Sequence, residues 1–237
     1  MKQRSIASRI LSGLLLMGLA GTASAVIVTP GATVPLSGTT AAANPFLAGT
    51  VLIDESYNFS LPVSQTDPSL ITGSVQQRIV RETASGTLDF YWRITNLQGG
   101  SLGYFRVGNF VDSVYDADYR LDGLGDVGPT SITRFTAGMG GAINDYSANF
   151  NFSDAAGRDT LAGGQESYFM FLHTDATNYA KTAFFDLAST GTFTASQEFS
   201  AYAPAVPEPE IYGLMLVGMG LLWVIRQRRS DRRPRAA

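Results

Sequence analysis

Hydrophobic and polar residues alternate with a period of two along the middle of this chain. In "GTLDFYWRIT" (86–95), Leu88, Phe90, Trp92 and Ile94 fall on one face and Asp89, Tyr91, Arg93 and Thr95 on the other, as in a strand with one buried face. "GTFTASQEF" (191–199) alternates likewise, setting Phe193 and Ala195 against Thr192, Thr194, Ser196 and Glu198. Further strands are predicted over 51–59, 75–82, 104–111, 131–136, 148–152, 168–174 and 179–187, separated by Gly, Asn, Asp and Ser clusters. No stretch of this body holds a 3.6-residue period for three turns. The pattern predicts an all-β domain over 50–200, an antiparallel β-sandwich of jelly-roll type. Residues 26–49, rich in Thr, Ala, Gly and Pro, predict an extended segment that is edge-paired at best, and 201–210 a spacer.

The pattern changes at both ends. A basic start with Lys2, Arg4 and Arg9 leads into the eleven apolar-rich residues "ILSGLLLMGLA" and then "GTASAV". These are the three parts of a secretory signal peptide over 1–25. Small residues at Ala23 and Ala25 predict cleavage between Ala25 and Val26. No polar face interrupts 14–19, which argues against a buried amphipathic helix.

Residues 211–225 are fifteen residues without a charge. As a helix they would rise about 22 Å, short of the ~30 Å hydrocarbon core. Tyr212 and Trp223 sit near the ends as interfacial aromatics would, and Arg226, Arg228 and Arg229 can snorkel outward to lengthen the span. A transmembrane helix over 211–225 and an Arg-rich cytoplasmic tail over 226–237 are therefore expected, with the body outside. Just ahead of the helix, Pro207 and Pro209 hold the backbone extended on both sides of Glu208, a form that a processing enzyme can grip.

This order of Val-Pro-Glu-Pro, apolar run and terminal arginine cluster resembles the PEP-CTERM sorting signal of Gram-negative bacteria, over residues 206–229. "SDRRPRAA" runs past the point where many such tails stop. The resemblance implies recognition by an exosortase, a membrane-embedded protease or transpeptidase. It also implies removal of the tail and delivery to the cell surface or exopolysaccharide matrix, with transient anchoring in the membrane. In phrases such as "GTLDFYWRITN" and "FLHTDATNY" the body loosely resembles other small β domains that carry this tail, which implies a fold only.

Composition narrows the function classes. The 237-residue chain has no cysteine, which removes disulfides, thiolate metal sites and cysteine nucleophiles. The net charge of −3 conceals a segregation, because 26–205 carry eight basic against seventeen acidic residues. Such a body repels nucleic acid, which is bound through clustered Lys and Arg.

Candidate chemistry is sparse. "GLGDVG" matches a dinucleotide loop at Gly123, Gly125 and Gly128, yet Pro129 and a predicted strand follow where a helix must open. "GGSLG" matches a nucleophile elbow at Ser101, but a strand follows it, and the sole histidine, His173, alternates with Phe169 and Phe171 as a core or boundary residue. Asp112, Asp116, Asp118, Asp122 and Asp126 crowd one segment without EF-hand spacing. A solvated acidic loop is expected there, with Asp116, Asp118 and Asp122 as weak calcium candidates. Tyr91, on the polar face of its strand, is a candidate to stack a sugar ring. The sequence therefore predicts a non-catalytic, cofactor-free surface or matrix domain that is structural, adhesive or carbohydrate-binding, with exosortase and exopolysaccharide as partners. The alternative is a secreted hydrolase of matrix polysaccharide built on a carboxylate pair.

Overall fold

The computed structural model describes residues 25–110, 115–136, 147–154, 156–189, 194–205, 215–223 and 226. Fourteen strands lie among them: β1 (Val26–Ile27), β2 (Thr33–Pro35), β3 (Gly49–Pro62), β4 (Leu70–Glu82), β5 (Leu88–Gln98), β6 (Ser101–Leu102), β7 (Tyr104–Gly108), β8 (Tyr115–Arg120), β9 (Ser131–Arg134), β10 (Ala148–Asn151), β11 (Leu161–Ala162), β12 (Phe169–Thr174), β13 (Tyr179–Ala188) and β14 (Phe199–Pro204). One sheet has the order β1-β8-β12-β5-β4-β3, the second β14-β13-β7-β10-β9-β2, and β11 and β6 form a small pair. Every strand pairing is antiparallel. The all-β antiparallel class expected from the alternation is therefore the one observed.

The apolar positions of both sheets enter one core. Phe90, Trp92 and Ile94 of the first sheet are fully buried with Phe105, Phe150 and Phe185 of the second. Trp92 meets Phe105 at 5.8 Å between ring centroids, and Phe105 meets Phe185 at 5.5 Å. A buried polar link spans the same space: the Gln77 side-chain carbonyl accepts from Tyr202 N at 3.0 Å and from Trp92 Nε1 at 3.3 Å. The long β3–β4 hairpin turns through 63–69, where Ser64 Oγ accepts from Asp67 N at 2.8 Å. A register shift in the β4–β5 ladder between Thr72 and Ser74 coincides with Asn96 at φ 54°, a bulge that Asn tolerates better than most residues.

Two predicted elements differ. Residues 194–198, expected to be strand, hold one isolated bridge and no strand. There Ser196 Oγ accepts from Leu187 N at 3.1 Å and Thr194 Oγ1 donates to Pro62 O at 2.8 Å, so the hydroxyls bind backbone in place of a regular ladder. The strand begins at Phe199 and takes in 201–204, the start of the expected spacer. The second difference is β8, which occupies the expected acidic loop: Tyr115, Ala117 and Tyr119 pack into or against the core while Asp116, Asp118 and Arg120 alternate with them. Charge density hid a period-two pattern.

The segment 26–49 is edge-paired on both sheets. β1 borders the first sheet through β8 and β2 borders the second through β9, so one stretch of chain closes an edge of each. At the other end residues 215–223 and 226 are helical. Nine residues rise about 13 Å, and among the described residues no helix is long and apolar enough to cross a membrane. The rest of the expected span, 211–214 with 224 and 225, lies outside the described residues.

Truncating Trp92 to Ala should destabilise the domain by about 3–5 kcal/mol, because the cavity adds to the lost transfer energy. The same truncation at Leu124, 66% exposed, should stay within about 0.5 kcal/mol. Urea denaturation of the two variants checks this.

Candidate functional site

The two sheets differ on their outer faces. On the first, the ladder register places Asp116 opposite His173 and His173 opposite Asp89. The neighbouring row runs Asp118, Phe171, Tyr91. This face is covered: Phe46 and Leu47 of a short 3-10 turn (Pro45–Leu47) pack with Tyr91, Phe169 and Phe171 in a second apolar cluster. Tyr91 is therefore only 3% exposed, and the expectation of a free ring for sugar stacking is overturned. Its alternation was read correctly, but a distant segment lies on it.

The aspartates of β8 and its flank serve the same cover. Asp118, 1% exposed, accepts from Gly38 N at 2.8 Å and Tyr119 N at 2.9 Å. Burial still holds its carboxyl above the ordinary aspartate range, against those backbone bonds. Asp122 accepts from Arg120 Nε at 2.9 Å, from Arg120 Nη2 at 3.0 Å and from Ala41 N at 2.8 Å. The Arg120 bond comes first among the causes that lower its carboxyl. Asp126 accepts from Glu166 N at 3.0 Å. Of the calcium candidates, Asp118 and Asp122 thus turn to different partners and Asp116 sits opposite His173, and among the described residues no group of three or more His, Cys, Asp or Glu is placed to hold a metal. Asp112 lies outside the described residues.

His173 is the boundary histidine that its alternation predicted. Its Nδ1 faces Asp89 Oδ1 at 2.6 Å and its ring stacks on Phe46 at 4.2 Å. Ser101 lies in β6, paired with β11, and no hydrogen bond joins it to His173 among the described residues. In "GLGDVG", Gly125 has φ 139° and a Cβ there would meet Ser167 O at 2.5 Å, while one at Gly128 would meet the Tyr119 ring at 2.3 Å. These are turn and packing glycines, and β9 follows them where a phosphate-binding helix would have to begin.

The second sheet leaves its outer face open as a groove of about 880 Å³. Two cross-strand ladders form its floor: Thr133, Asn149 and Arg106, continued under the floor by Asp186, and beside them Ser131, Asn151, Tyr104 and Ala188. Phe135, Ser153 and Asp154 also line it. Asn151 Nδ2 donates to Ser131 Oγ at 2.8 Å and to Thr133 Oγ1 at 3.2 Å. Arg106 Nε donates to Asp186 Oδ1 at 2.7 Å, and Arg106 Nη2 also contacts Asp186 Oδ2. Burial raises the Asp186 carboxyl although Arg106 pulls it down. Asn149 is 6% exposed and its Oδ1 has no hydrogen-bond partner. The sequence contained a signal for this face: the polar positions of 104–111, 131–136 and 148–152 alternate with apolar ones, but nothing local says that the three strands are neighbours.

Of the expected processing residues, Ala25 packs against the second apolar cluster and Val26 opens β1. Arg226 is helical and exposed. Ala23, Pro207, Glu208, Pro209, Arg228 and Arg229 lie outside the described residues.

The His173–Asp89 pair sets a pH dependence. Burial acts to lower the imidazolium, but the hydrogen bond and charge of Asp89, with Glu82 and Asp116, outweigh it and raise the histidine above its ordinary 6.5. A raised folded-state value means the contribution is complete below pH 6.5 and is lost as pH rises through that higher value. Asp89, raised chiefly by burial, shifts in the same sense at lower pH. The melting temperature should therefore fall as pH rises above about 6.5, and His173→Asn should flatten that fall in a calorimetric series.

No protein-family model, curated protein or solved structure matches the chain, so the groove and the two terminal segments are the observations from which its function is argued.

Proposed function

We propose that this chain is an exported protein of the cell surface or extracellular matrix whose β domain, a sandwich of jelly-roll type, is a non-catalytic carbohydrate-binding module. The observation that carries the reading is the open groove of the second sheet. Hydroxyl and amide groups from three adjacent strands, with Tyr104 and Phe135, share one concave surface. Rigid strands hold the polar groups in place, and ring faces beside them supply apolar area for the carbon skeleton of a sugar.

The terminal segments supply the address. In this reading the leader is cut between Ala25 and Val26, and the helix over 211–225 anchors the chain until an exosortase reads Pro207, Glu208 and Pro209. Arg226, Arg228 and Arg229 hold the tail inside. Two facts support it: β1 begins at Val26 and β14 ends at Pro204, so both cuts would fall just outside the sheets. The hydrolase alternative needs two carboxylates facing each other about 5–10 Å apart, and Asp154 is the one carboxylate among the groove's described lining residues.

Mass spectrometry of surface or matrix material should find a chain that starts near Val26 and lacks everything from about Ile211. Pro207→Ala with Glu208→Ala should leave uncut protein in the inner membrane, because the apolar run and arginines are untouched. Protein still carrying Arg235 in the matrix fraction would sink the sorting reading, and release of reducing sugar from a bound polysaccharide would favour the hydrolase.

A further inference from the structure

The charges around the groove are already paired, and this narrows the chemistry of what it can hold. Arg106, the one cation among its described lining residues, is engaged through Nε and Nη2 by Asp186, itself 1% exposed. Asp154, the one carboxylate among those described residues, accepts from Arg158 Nε at 2.7 Å and from the N–H groups of Ala156 and Arg158 at 2.9 and 3.0 Å. Among the described lining residues a uronate or sulfated sugar would find no unpaired cation, and an amino sugar no unpaired anion.

What the groove does offer is an acceptor. Asn149 Oδ1 is buried in the floor without a partner, and a buried acceptor left unpaired costs about 1–3 kcal/mol. An O–H from a ligand would satisfy it. Two residues away and across one strand, Ser131 Oγ already accepts from Asn151 Nδ2, which leaves its own proton to donate. One acceptor and one donor on adjacent ladders match a polyhydroxylated ligand, whose every hydroxyl both gives and takes a bond. A volume of about 880 Å³ lies toward the upper end of the usual range of ~300–1,000 Å³ for ligand sites, room for several linked units and more than a single small polyol needs.

We infer that this groove is a binding site for a neutral, hydroxyl-rich polysaccharide, with Asn149 Oδ1 accepting from a sugar hydroxyl and Ser131 donating to one. The inference rests on the carbohydrate-binding reading and adds the class of sugar and the two residues that recognise it. Neutral recognition through hydrogen bonds also makes binding insensitive to salt, unlike recognition of a charged polymer.

The test uses the full chain in a detergent without a sugar headgroup, run by affinity electrophoresis through gels that contain dextran, galactomannan or polygalacturonate. At least one neutral polymer should retard the chain equally at low and high salt, and polygalacturonate should not. Asn149→Leu should weaken that retardation about tenfold, the loss of one well-made hydrogen bond, without lowering the melting temperature, because it removes an unsatisfied group. Ser131→Ala should weaken it in the same direction, and serves if the leucine variant does not fold. Retardation by polygalacturonate alone, or retardation that salt abolishes, would overturn the neutral class while carbohydrate binding stands. Neutral retardation unchanged in both variants would place binding elsewhere and overturn the assigned residues. No retardation by any of the three polymers would take the inference and the carbohydrate reading down together.

Discussion

The ring contact between Trp92 of the first sheet and Phe105 of the second, with Phe150 and Phe185 packed beside Phe105 within its own sheet, holds the two sheets to one core. Each strand has two faces, and these contacts commit one face of every central strand to the interior. Buried aromatics of this kind dominate the apolar area removed from water. Gln77 adds specificity, because its side-chain carbonyl must meet both Tyr202 N and Trp92 Nε1, and a sheet displaced by one register would leave these donors unpaired. Everything functional is therefore confined to the outer faces and to the segments that leave the sheets.

Those outer faces part company because of one stretch of chain. Residues 26–49 border the first sheet with β1, border the second with β2, and then fold onto the outer face of the first as the 3-10 turn with Phe46 and Leu47. Covering that face buries polar side chains, and Asp118 finds a partner there in the N–H of Gly38 and His173 in the carboxylate of Asp89, while the exposed Asp122 takes the N–H of Ala41. The same cover makes the histidine pair sensitive to protons, since the pair holds charge where water is partly excluded. Among the described residues no such segment covers the groove of the second sheet, and there Asn149 keeps an acceptor without a partner.

The electrostatics follow the same division. The body is acidic overall, yet the acids near the sheets' outer faces are largely engaged by nearby cations or backbone donors, among them Asp54 with Arg78, Asp154 with Arg158 and Asp186 with Arg106. The exposed pairs among them add little stability, and those of Asp154 and Asp186 neutralise charge at the groove. A further cluster, in which Tyr57, Tyr202 and Lys181 all reach Glu55, ties β3 to β13 and β14 at the side of the two sheets and is satisfied within itself.

By itself, the sequence determined the β class and the two faces of strands such as β5 and β12, because alternation is a local pattern. It left β8 unread, since aspartates at alternate positions resemble a solvated loop until Tyr115, Ala117 and Tyr119 are seen to share a face. What only the tertiary structure decided was which polar face meets water. Asp89, Tyr91 and Arg93 look solvent-facing along their own strand but are buried, Tyr91 under a segment some forty residues upstream and Arg93 against Glu166 and Phe169, whereas Arg106, Ser131 and Asn149, scattered over more than forty residues, come together as a floor. A period of two distinguishes the faces of a strand, but what covers each face is set by contacts remote in the chain, and those depend on strand order, which local pattern does not carry.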